Sequence, residues 1–157
     1  MILVLLLLTS AWMFFYLKNS ETFWIVAWPG TVMHETLHWT VGKVMGGNPT
    51  KISVLPEKDS RIIGYVNFAN ITWFNCVPIS MAPMLGVPVA WLLFHYLQPI
   101  DFTWIGAVKF WVISATLASS WPSSVDFKLS ARHPEGWLFW GGLAVLFLGN
   151  KYYHFFG

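Results

Sequence analysis

The stretch PGTVMHETLHWTVGKV, residues 29–44, carries two histidines and a glutamate, His34, Glu35 and His38, through an otherwise apolar run. An ionisable side chain at the centre of a membrane-crossing helix costs at least about 2.5–3.5 kcal/mol on insertion scales. Three such groups so close together need a joint purpose, and the spacing H-E-x-x-H supplies one. On a helix, residues i and i+4 leave the same face about one turn apart, so both imidazoles reach a single metal ion. A chain of this composition, with its five histidines, carries the pattern by chance only on the order of a few times per thousand.

Zinc suits these ligands. It takes imidazole nitrogen at about 2.0–2.1 Å and, in catalytic sites, uses three protein ligands and keeps a position for water. Glu35 adjoins the first histidine and precedes the second by three residues. That places its carboxylate where it can take a proton from such a water, whose pKa zinc lowers to about 7. Gly30, His34, His38 and Gly42 form an i, i+4 stripe, whose small members let another backbone approach. Pro29 either kinks this helix or begins its inner half.

The rest of the chain explains why the motif would lie in lipid. Of 157 residues 56% are hydrophobic and 10% charged, against about 25% charged in an average soluble domain. With about 20 residues per crossing, five spans are predicted, at 1–17, 22–45, 73–97, 103–125 and 136–156. The expected fold is therefore a single all-α membrane domain, multi-pass, with Trp and Tyr at several span ends as an interfacial belt. The apolar start MILVLLLLTSAWMFFYLK has no basic stretch ahead of it, which favours a retained first span over a cleaved signal.

Residues 46–72 depart from this pattern. TKISVL and RIIGYVNF, β-branched and aromatic, flank the turn-like PEKDS and predict a β-hairpin over about 50–68, directly after the second span. Lys43, Lys51, Lys58, Arg61, Lys128 and Arg132 fall on one side of the spans, and Lys18, Lys109 and Lys151 on the other. The excess puts the hairpin side in the cytoplasm. The nine basic residues are scattered and the net charge is only +2, so nucleic acid is excluded as a partner. The lone Cys76 excludes an intrachain disulfide and reads as a small buried apolar residue.

The third ligand must come from outside the motif. The metzincin form, with glycine three and histidine six residues after the second histidine, is excluded, because Val41 and Val44 stand there. Asp126, Asp101, His95 and His133 remain. His95 and Asp101 read as interfacial groups, His133 as a solvated loop histidine, and His154 as part of the terminal aromatic belt. Asp126 stands at the inward end of the fourth span, after Pro122, Ser123 and Ser124. Those residues can open the helix where it lines a cavity.

A membrane-embedded HETLH, a hairpin after it, the Pro-containing stretch CVPISMAPMLG (76–86) and a late aspartate together resemble the site-2 protease family of intramembrane zinc metalloproteases. The resemblance covers residues 28 to about 128. It implies hydrolysis of peptide bonds in membrane-spanning substrates, as in regulated intramembrane proteolysis. It also implies zinc on His34, His38 and Asp126, with Glu35 as general base, and a hairpin that pairs with the substrate as an added strand. In the family the aspartate is commonly followed by glycine, whereas Phe127 follows here. An asparagine often orients the substrate there, with Asn70 and Asn75 as counterparts in this chain.

Two other functions fit the composition: a membrane transporter using the same groups as a relay, and a non-catalytic metal-binding membrane protein. The near absence of polar residues from spans one and five argues against the first, and Glu35 against the second.

Overall fold

The computed structural model describes residues 2–15, 23–55 and 64–153. The chain is mostly helical, with α1 Ile2–Phe15, α2 Phe23–Val44, α3 Trp73–Met81, α4 Gly86–Tyr96, α5 Trp104–Ala118, α6 Ser124–Ser130 and α7 Pro134–Tyr153. A two-stranded antiparallel sheet, β1 Pro49–Ser53 and β2 Tyr65–Phe68, follows α2. The helices coincide with the five predicted spans, but two of those spans are broken.

Span three is α3, a 3-10 segment Ala82–Leu85, then α4. The break falls at Pro83, whose missing N–H and ring disfavour continued α-helix. Span four stops as a helix at Ala118 rather than at residue 125. Pro122 and the serines open the chain there, and α6 restarts at Ser124. Pro29, by contrast, leaves α2 unbroken through its 22 residues.

Among the described residues one helical run, Trp73–Tyr96, is long and apolar enough to cross a membrane. Helices α2 and α7 have the length, with 22 and 20 residues, while α1 and α5 are apolar but shorter.

Helix α5 is the central post, with α2, α1 and α4 packed around it, while α3 joins α2 to α6 and α7. Side chains bolt these contacts to backbone. Trp111 Nε1 donates to the Val26 carbonyl at 2.7 Å, Trp140 Nε1 to the Phe74 carbonyl at 2.6 Å, and Ser10 Oγ lies 3.1 Å from the Ser114 carbonyl. The interior is unusually polar: eleven described polar side chains are buried against ten hydrophobic ones. Leucine, valine and phenylalanine instead crowd the exposed faces of α1 and α7.

The hairpin is rooted on α2. Gly46, at φ 73°, ends the helix in the left-handed region, where a residue without Cβ is unstrained. Asn70 ties the far side of the sheet back to this turn, its side chain donating to the Gly46 carbonyl at 2.9 Å and its N–H to the Gly47 carbonyl at 3.0 Å. The register pairs Ile52 with Val66 and Ser53 with Tyr65, with a bulge between Pro49 and Lys51. The expected loop at 56–60, and the first part of the second predicted strand, lie outside the described residues. Phe68 sits over Gly42, where a β carbon would strike its ring.

Candidate metal centre

His34 and His38 leave α2 on one face, as their spacing requires, and their Nε2 atoms lie 3.2 Å apart. Asp126 arrives from α6. Its Oδ1 is 3.2 Å from His38 Nε2, and its Oδ2 is 3.6 Å from His34 Nε2. His38 is 5% and Asp126 9% exposed, so the three groups meet away from solvent.

Local structure explains why Asp126 is held there. Asp126 is the third residue of α6 and closes a reciprocal cap with Ser123. Ser123 N–H donates to Asp126 Oδ2 at 2.6 Å, and Asp126 N–H donates to Ser123 Oγ at 3.2 Å. The carboxylate is thus pinned by its own helix before it meets the histidines.

The outer nitrogens of both imidazoles are also committed. His34 Nδ1 is 2.7 Å from the Ser119 carbonyl and His38 Nδ1 is 2.8 Å from the Ile79 carbonyl. A carbonyl only accepts, so each Nδ1 carries a hydrogen, and in the neutral ring each Nε2 then presents a lone pair inward. With both rings neutral, two imidazole lone pairs and a carboxylate converge, an arrangement that a shared proton or cation would stabilise. One proton would bridge a single edge of this triangle. A tetrahedral ion with ligands at about 2.0–2.1 Å spaces them about 3.3–3.4 Å apart, close to all three edges. The donor set fits one divalent metal, and His34, His38 and Asp126 could hold it.

Glu35 is 6% exposed and lies on α2 between the two histidines, one residue after His34 and three before His38. The hairpin covers it: a β carbon on Gly64 would lie 2.9 Å from Glu35 Cγ and 3.0 Å from its Oε1.

The other sequence candidates stay apart from this cluster. His95 stacks on Trp91, ring centroids 5.8 Å apart. Asp101 accepts from the Thr103 hydroxyl at 2.6 Å, which holds its carboxyl below the usual range. His133 pairs with exposed Glu135 at 3.0 Å, and His154 lies outside the described residues. Asn75 has a structural role, since its Oδ1 accepts from Thr72 N–H and its Nδ2 donates to the Met45 and Asn70 carbonyls. Asn70 is likewise used at the hairpin root. Cys76 is fully buried, its Sγ 3.1 Å from the Leu129 carbonyl. A cavity of about 320 Å³ at the end of α2, lined by Trp39, Lys43, Gly46, Asn48 and Pro49, includes none of the cluster residues.

Sequence reasoning missed the Ser119 and Ile79 carbonyls and the approach of Gly64. The only signals for them were the prolines in MAPM and SSWPSS and the glycine opening GYVNF. No protein-family model, curated protein or solved structure matches the chain.

Proposed function

We propose that the protein is an intramembrane zinc metalloprotease acting on membrane-spanning protein substrates. The observation that carries this reading is the convergence of His34, His38 and Asp126 on one point, with Glu35 beside it under the hairpin. In this reading all five helical units cross the bilayer, α3 to α4 as one broken span, with the hairpin on the cytoplasmic side. The polar interior and apolar exterior support it, because a monomer in water rarely exposes large contiguous apolar surface.

Zinc, when bound by the three residues, supplies Lewis-acid polarisation of a carbonyl and makes water a better nucleophile at neutral pH. Glu35 takes the proton from the attacking water and passes it to the departing amine. A substrate helix hides its carbonyls in its own hydrogen bonds and must open before attack. Each strand of the two-stranded sheet keeps an outer edge not used in the β1–β2 pairing, which offers N–H and C=O groups to an opened segment.

The test is cleavage of a model transmembrane substrate by purified protein, beside metal analysis, for wild type and Glu35→Gln. The wild type should cut and the variant should lose at least about 100-fold in rate while keeping its zinc. Equal rates would end the protease reading. Zinc binding without cleavage by either would favour a non-catalytic metal protein.

A further inference from the structure

Each histidine of the cluster is held by a backbone carbonyl, and each carbonyl is free to do so because the chain withholds the hydrogen that would otherwise occupy it. In a continuous α-helix the Ile79 carbonyl would accept from the N–H of residue 83. Residue 83 is proline and has none. The Ile79 oxygen accepts from Ala82 N–H in the tighter 3-10 pattern and keeps a lone pair directed at His38 Nδ1, 2.8 Å away. Pro83 itself is less than 2% exposed.

Ser119 repeats the device at the end of α5. Its donor three residues on would be Pro122, which lacks an N–H. Its donor four residues on is Ser123, whose N–H goes instead to Asp126 Oδ2 at 2.6 Å. The Ser119 carbonyl is left for His34 Nδ1 at 2.7 Å. It also carries part of the negative end of the α5 dipole, which strengthens a hydrogen bond from an imidazole. Asp126 therefore serves the centre twice, facing both histidines and diverting the competing donor.

We propose that Pro83 and Pro122 are positioning residues of the metal centre, each keeping open the carbonyl that fixes one histidine as its Nδ1–H tautomer with Nε2 turned inward. This rests on the cluster being a metal site. Partners of metal-bound imidazoles commonly alter affinity by about 10–100-fold when removed. The size of that effect is what makes two buried prolines, far from any reacting atom, relevant to zinc.

The experiment uses metal-free full-length protein with ¹⁵N-labelled histidine, in which the imidazole nitrogen shifts report tautomer, and zinc affinity measured by chelator competition. Pro83→Ala supplies an N–H at residue 83. It should mix the His38 tautomers, leave His34 unchanged and weaken zinc about 10-fold. Pro122→Ala should do the reverse, affecting His34 and sparing His38. An ester made with lactic acid at position 83 has the methyl group of alanine but no N–H, and it should restore the His38 tautomer and the affinity.

Tautomers and affinity unchanged in both alanine variants would overturn the proposal. So would an ester as defective as Pro83→Ala, since ring packing would then be the cause. Wild-type protein that cleaves no substrate while the tautomers respond as stated would sink the protease reading and leave this one standing.

Discussion

Gly64 lies against Glu35 with no room for a side chain between them: a β carbon there would stand 2.9 Å from Glu35 Cγ and 2.9 Å from Thr31 Cγ2. The entry to β2 and the proposed base are thus set at van der Waals contact by an absent methyl group. In Gly64→Ala either the strand lifts or the carboxylate turns away, and both change where Glu35 stands relative to the histidines. A displacement of about 1 Å can cost on the order of 100-fold in rate. The expected outcome is a 10- to 100-fold loss of cleavage at unchanged zinc content, read by single-turnover kinetics beside metal analysis. Wild-type cleavage by this variant would mean that the hairpin does not position the base.

Asp126 combines a helix cap with a place among the proposed metal ligands, and two substitutions separate these roles. Asp126→Asn keeps an oxygen for Ser123 N–H but loses the charge facing His34 and His38. Zinc occupancy should fall steeply while the unfolding midpoint of the metal-free protein stays close to wild type. Asp126→Ala loses the cap as well and should destabilise the metal-free protein by about a further 1 kcal/mol. Metal analysis and denaturant unfolding in the presence of chelator give the two numbers separately, and full zinc occupancy in Asp126→Asn would move the third ligand elsewhere.

These two sites show how legible the protein was. His34, Glu35 and His38 could be read because i, i+4 geometry follows from helix formation alone, and the small-residue stripe anticipated the backbone approach at Gly30, while at Gly42 the close neighbour is the Phe68 ring. Asp126 was selected by where its span ends, and α6 does bring it to the histidines. The hairpin followed from β-branched and aromatic runs flanking a turn-like segment, and its strands are antiparallel as expected. What the sequence hid was backbone chemistry. The grip of Ser119 and Ile79 on the imidazoles depends on which carbonyls lack a partner, a property of three-dimensional helix endings rather than of side-chain type. The break at Pro83 had the same obscurity, since a hydropathy run continues through it, whereas the opening around Pro122 was signalled by the proline and serines there. The resemblance offered Asn70 and Asn75 as substrate-orienting counterparts without choosing between them, and the structure shows Asn75 capping α3 and Asn70 tying the hairpin root.

Gly30 measures how tightly α2 must meet α5. A β carbon there would overlap the Ala115 carbonyl and Ser119 Oγ, and the Ala115 backbone cannot yield without moving α5 and, with it, the carbonyl that binds His34. Gly30→Ala should destabilise by about 1–3 kcal/mol through overpacking and lower zinc affinity as well. Gly141→Ala is the control, because nothing lies within 4 Å of its would-be β carbon. In that exposed helix alanine should be neutral or stabilising by up to about 1 kcal/mol. If Gly30→Ala matched Gly141→Ala in stability and zinc content, the close crossing would have no bearing on the centre.

Metal removal should weaken the fold itself, because two imidazole nitrogens and a carboxylate gathered at 3.2–3.6 Å lose the cation they would share. A ligand that binds only the folded state, at about 1,000 times its Kd, stabilises by about 4 kcal/mol. Chelation of the wild-type protein should therefore lower the thermal unfolding midpoint, and zinc should restore it in proportion to its concentration. Glu35→Gln, which leaves all three donors in place, should show the same chelator-sensitive drop despite having lost activity. Asp126→Asn, which removes the charge from the donor set, should show little further drop on chelation. An unfolding midpoint that ignores chelator in wild-type protein loaded with zinc would mean that the ion is held elsewhere, or so loosely that the convergence of His34, His38 and Asp126 owes nothing to it.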